Sequence, residues 1–234
     1  MNATVIDLGD DASRLVVDID PGPSAATSPE LDARWDALAA DNPRLFNGRI
    51  LAFLSADLTR ARLRVQVDQY KRMAAQNHDE PKLTQFGVTG VLTAPDENAR
   101  SCVLLGRRSA ATHIHPGQWE LAPSGGVDAP DPGTTHLSIS QISDQIEREL
   151  AEETGVATTG LAPMPIALCH DPYAPSMDVI FRLELDRMPR EHKTTWEYDQ
   201  LIWIPIDGLK DELDIRSIDL IAPSAAVLRW LSWL

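Results

Sequence analysis

The chain has 234 residues, enough to bury a core in one large domain or two small ones. Its formal net charge of −14 repels phosphate backbones and argues against nucleic acid as a partner, while 43% hydrophobic residues without a low-complexity tract place it among globular proteins. It has no apolar run of the ~20 residues that span a bilayer, so no membrane association is expected; the opening MNATVIDLGDD lacks a signal-peptide pattern, and the cytoplasm is the expected compartment.

Residues 14–19 read as a short strand, and residues 21–30 (PGPSAATSPE) as a loop or linker. Leu31, Trp35, Leu38 and Ala39 recur at helical spacing, with Ser28 as a cap and Asn42-Pro43 as a stop. Strand-like runs at 49–58 and 62–67 lead to a short helix over 69–76. Residues 85–93 and 102–105 predict two strands around the turn at 94–98. A glycine-containing loop then precedes a helix predicted over 138–154, with the apolar stripe Ile139, Ile142, Ile146 and Leu150 and Gly155 to end it. Strands at 166–170, 178–185 and 201–204 and a helix from about 223 to 234 complete the chain. Mixed strands around a buried helix predict an α/β (α+β) domain. Residues 1–80 are expected to form a strand-rich extension on or next to a domain spanning 81–234. Cys102 and Cys169 lack metal-site spacing and read as reduced thiols.

Chemistry concentrates in the run Arg148-Glu149-Leu150-Ala151-Glu152-Glu153-Thr154-Gly155-Val156. On a helix, Glu149 stands i,i+3 to Glu152 and i,i+4 to Glu153, so the three carboxylates share a face and repel one another unless a cation intervenes. Magnesium prefers hard oxygen ligands and is held by a few carboxylates plus waters and substrate phosphates. The ridge is therefore a candidate magnesium and pyrophosphate site, with a solvated acidic helix face as the bland alternative.

This run resembles the second half of the Nudix box, G-x5-E-x7-R-E-U-x-E-E-x-G-U with U aliphatic. Trp119-Glu120-Leu121-Ala122-Pro123-Ser124-Gly125-Gly126 is similar to the family's approach to the box, with Ala122 as one extra residue. Val103 to Arg108 and Trp196 to Pro205 resemble the strands before and after it. The resemblance covers roughly residues 86–210 and implies a Nudix α/β/α sandwich with a mixed sheet, and hydrolysis of a diphosphate bond with Mg2+, or Mn2+ as an alternative. By position, Glu149, Glu152 and Glu153 would be metal ligands, and Arg148 would hold the carboxylates. Gly125 and Gly126 would form the tight loop beside the metal. Glu197 would be a further ligand or general base, or else a surface residue ahead of a strand. One departure stands out. Gly126 lies 22 residues before Arg148, eight more than the box prescribes, and the box's first glutamate falls at Ser140. Asp128, Asp131 and Asp144 are alternative sources of that carboxylate.

The flanks bear on the substrate. Trp35-Asp36-Ala37-Leu38 and Asn42 to Gly48 resemble the UDP-sugar diphosphatase branch, which implies cleavage of UDP-glucose or UDP-galactose to UMP and sugar 1-phosphate. ADP-ribose and other nucleoside diphosphate derivatives are the alternatives, as is a non-catalytic ligand-binding module. Arg107 or Arg108 is a candidate phosphate contact. Trp196, Tyr173 and Phe181 are candidates to stack on a base. His113 and His115 are expected to share one face of a strand, with metal binding, phosphate binding and plain exposure all open. Family members often form homodimers, though no interface stripe is legible here.

Overall fold

A computed structural model describes residues 2–22, 26–76, 82–189, 193 and 195–234. The expected boundary at residue 80 lies outside them. Strands β1 (Thr4–Asp7), β2 (Val16–Asp20), β3 (Arg49–Asp57) and β4 (Arg62–Gln69) precede β5 (Thr84–Pro95), and helices α1 (Pro29–Asp41) and α2 (Tyr70–Ala74) are inserted among them. Next come β6 (Ser101–Arg108), β7 (Trp119–Leu121), β8 (Ser124–Gly126) and β9 (His136–Ser138), then α3 (Ile139–Thr154). Strands β10 (Met164–Asp171), β11 (Ser176–Glu184) and β12 (Tyr198–Pro205) and helices α4 (Leu209–Ile215) and α5 (Ala222–Trp230) close the chain.

The strands hydrogen-bond in the order β1-β10-β11-β5-β3-β4-β2-β9. Strand β5 is the hub. It runs parallel to β11 along nearly its whole length, and its opposite edge pairs in turn with β3, β8 and β6. Strand β6 carries β7 and β12 outward. The sheet is thus mixed, and the strands of the first 76 residues are joined to it through β1–β10 and β3–β5.

Side-chain alternation along the central strands divides the core. Phe86 and Val88 of β5 and Val179 and Phe181 of β11 pack with Ile142, Ile146 and Leu150 of α3. Val91, Cys169 and Ile180 pack instead with Leu213 of α4 and Val227 and Leu228 of α5. Helices therefore cover both faces, the layered α/β/α arrangement that the family resemblance implies. Helix α3 begins with a full capping box: the Ser138 hydroxyl accepts from Gln141 N, and Gln141 Oε1 accepts from Ser138 N at 2.9 Å. It ends at Gly155, whose φ of 69° is left-handed. Among the described residues no helix is long and apolar enough to cross a membrane.

Candidate active site

Helix α3 and strand β8 set the geometry of the glutamates. Strand β8 pairs with β5 at Gly87, Val88 and Thr89, which lays it across the C-terminal half of α3. Gly125 faces Glu149: a Cβ there would come within 2.5 and 2.7 Å of the carboxylate oxygens. The Ser124 amide donates to Glu153 Oε2 at 3.0 Å. Glycine at 125 is thus what lets a backbone strand approach the carboxylates closely.

Glu153 is 4% exposed, and its second oxygen, Oε1, is buried without a hydrogen-bond partner. Burial, followed by the Glu197 carboxyl beside it, pushes its pKa well above the ordinary range. Burial also raises Glu149 to about 7, with Glu197, Glu152 and Asp128 adding like-charge repulsion against the Gln145 amide that lowers it. Three carboxyl groups, Glu149, Glu153 and Glu197, thus lie close enough together for repulsion to raise the pKa of the first two. Glu152 is exposed on the solvent side. No group of three or more His, Cys, Asp or Glu among the described residues is already spaced as a metal cage. The buried orphan oxygen of Glu153 and the all-oxygen donor set nevertheless fit a hard divalent cation, which would satisfy that oxygen and relieve the repulsion.

Arg148 does not bond the helix glutamates directly. It donates to Asp128 Oδ2 at 2.8 Å and to the side-chain oxygen of Gln145. Gln145 in turn donates to Glu149 Oε1 at 2.6 Å and accepts from the Asp128 amide at 3.2 Å. This buried amide is the link between Arg148 and the site, and composition offers no signal for it. Ser140 is exposed in the first turn of α3, and of the three candidate substitutes for its missing carboxylate only Asp128 reaches this network.

Arg107 turns to the Gly117 carbonyl and to Asp199, 3.8 Å away, whereas Arg108 lines a cavity of about 300 Å³. Arg108 donates to Glu120 Oε1 at 2.6 Å, and the Tyr198 hydroxyl donates to the same oxygen at 2.8 Å. Glu120 is buried, so this charge pair and phenol form a closed unit. Phe181 is fully buried in the α3 core and is not available to stack. Tyr173 is 73% exposed and lies 5.4 Å from the His115 ring, while Trp196 is 52% exposed with the Arg44 guanidinium 5.6 Å above it. His113 and His115 lie in a turn rather than a strand. His115 has a left-handed φ of 52°, meets Gln118 Oε1 at 3.0 Å and is paired with the buried Asp171 at 3.4 Å. Both cysteines are buried and free.

Of the expected site residues, Gly125, Gly126 and Glu197 line the cavity, and Glu149 and Glu153 lie across β8 from it. Its other walls include Trp196, Arg108, His115, Asp171 and Asp178.

No family model matches the chain, and no curated protein matches it. Among solved structures, the Nudix domain of Shewanella oneidensis NrtR complexed with ADP ribose is 17% identical with a TM-score of 0.47, over 69% of this chain and 95% of that one. DR0079 from Deinococcus radiodurans is 19% identical with a TM-score of 0.46, over 77% and 96% of the two chains. A C. elegans Ap4A hydrolase is 18% identical with a TM-score of 0.44, over 64% and 96%. These are likenesses of fold at low identity, and the functional reading comes from the site residues.

Proposed function

We propose that this chain is a Nudix-type hydrolase that cleaves the diphosphate bond of a nucleoside diphosphate derivative. Its substrate on this reading is a UDP-sugar, UDP-glucose or UDP-galactose, released as UMP and sugar 1-phosphate. The observation that carries the reading is the packing of Gly125 against Glu149, with Ser124 N on Glu153: the box-like glutamates of α3 and the Gly-Gly strand meet as one site.

Glu149 and Glu153 would hold magnesium. Bound there, the metal would polarise phosphoryl oxygens and lower the pKa of an attacking water. The protein's own residues prepare that chemistry. Ser124 N fixes one oxygen of Glu153 and leaves the other free to bind. Gln145 aims Glu149 and is itself held by Arg148. Glu197 reaches both the cavity and Glu153, which suits a general base that takes the proton of the water. The small-molecule substrate is favoured over a macromolecule by the concave cavity and the acidic composition.

A non-catalytic ligand-binding domain is the second reading, favoured by the exposed Ser140 where the box has a carboxylate. Glu153→Gln separates the two. Turnover lost by about a thousandfold, with ligand binding and the fold retained, supports the enzyme; unchanged turnover removes the glutamates from the mechanism.

A further inference from the structure

The cavity rests on an unusual stretch of sheet. On β5, β10 and β11, one face carries the apolar Phe86, Val88, Leu168, Met177 and Val179 that pack in the core. From the same strands the cavity is lined by the polar Gln85, Thr89, Asp171, Ser176 and Asp178, together with Gly87, Cys169 and Ile180. They stand at alternate positions, and register places Ser176 beside Gln85 and Asp171, and Asp178 beside Gly87 and Cys169. A sheet face buried under α5 is expected to be apolar. Here the apolar Cys169 and Ile180 under α5 give way to a polar floor beneath the cavity.

The floor presents hydrogen-bond acceptors. Thr89 donates to Asp178 Oδ2 at 2.8 Å and Ser176 also serves Asp178, while His115 and the Tyr173 and Ala174 amides serve Asp171. Each carboxylate offers about four lone-pair sites, so both keep acceptor capacity toward the cavity. Phosphate does not suit this floor. Of the arginines that line the cavity, Arg108 is spent on Glu120 and Arg44 lies over Trp196, and the imidazole of His115 is turned to Asp171. A neutral group rich in hydroxyl donors does suit it. Gly87 keeps the floor open beside β8, because a Cβ there would meet Asp178 Oδ1 at 2.7 Å and Gly125 O at 3.0 Å.

We propose that this floor binds the sugar half of a nucleoside diphosphate sugar, with Asp171 and Asp178 accepting hydrogen bonds from its hydroxyls and setting specificity for it. The proposal rests on the reading of the adjoining site as a diphosphate hydrolase. It is tested with the full chain by comparing UDP-glucose with the methyl ester of UDP, which keeps the nucleotide and diphosphate but lacks the ring. Both are followed as magnesium-dependent UMP release and as calorimetric binding. Charge-assisted hydrogen bonds predict that UDP-glucose is favoured by about 10- to 100-fold in kcat/KM, mostly through KM. Asp178→Ala should cut that ratio about tenfold, and Ser176→Ala is a milder companion should the first variant unfold. Equal use of the two substrates by the unmodified protein overturns the sugar floor and leaves the hydrolase standing. Sugar-selective binding without any UMP release upholds the floor and removes the hydrolase. Equal or absent binding together with silence in the assay overturns both.

Discussion

The Glu149 carboxylate fills the space that a side chain at residue 125 would need, so Gly125 and Glu149 are sterically bound to each other. Gly125→Ala is therefore expected to push Glu149 aside. We predict a loss of about 10- to 100-fold in kcat with a stability cost of about 1–2 kcal/mol, read by steady-state kinetics and urea unfolding. Unchanged kcat would show that Glu149 does not act from its present position.

Gln145 tests how Arg148 acts. A Gln145→Leu change leaves Glu149, Arg148 and the Asp128 amide each short of a partner in a partly buried place. Lost partners of this kind cost about 1–3 kcal/mol. The expected result is lower kcat and a higher magnesium requirement, measured by metal titration of activity. Wild-type metal dependence would reduce Gln145 to packing.

The Arg108–Glu120–Tyr198 unit should respond unequally to its two donors. Arg108→Met strands a buried carboxylate and is expected to cost about 3–5 kcal/mol. Tyr198→Phe removes one neutral donor from an oxygen that Arg108 still serves, at about 1 kcal/mol. Chemical denaturation orders the two, and equal costs would contradict the charge pair as the core of the unit.

Asp178 gives the fold a pH dependence of known sign. Burial raises its pKa from 3.8 to about 6 against the Thr89 and Ser176 hydrogen bonds, with Glu120 and Asp171 adding repulsion. Between pH 4 and 6 the folded form keeps a proton that the unfolded form has lost, so stability falls as pH rises through that window. The contribution is about 3 kcal/mol. Asp178→Asn should flatten that part of a thermal-melting profile, and an unaltered slope would assign it elsewhere.

The sequence makes local features legible and contacts between distant segments much less so. Helix α3 is readable in full because its cap, apolar stripe and terminal glycine all lie within one run of residues, and the glutamate spacing follows from them. Strands β1, β7, β8 and β9 have three or four residues each, too few to show alternation, and all but β7 exist through partners far along the chain. Arg107 and Arg108 differ only in which side of β6 they occupy, and the irregular pairing between Tyr198 and Gln200 hides that parity. Phe181 looks like a candidate to stack on a base until β11 is placed beside β5 and its face is fixed. The roles of Glu120 and Asp178 depend on partners 12 to 89 residues away, and Gln145, though three and four residues from Arg148 and Glu149, also takes the Asp128 amide 17 residues away.

The most direct measurement is UMP release from UDP-glucose with magnesium, repeated with EDTA and with Glu153→Gln. The account predicts stoichiometric UMP and sugar 1-phosphate, loss of the reaction in EDTA, its return on adding magnesium, and about a thousandfold loss in the variant. Full turnover in EDTA, or in Glu153→Gln, would contradict it.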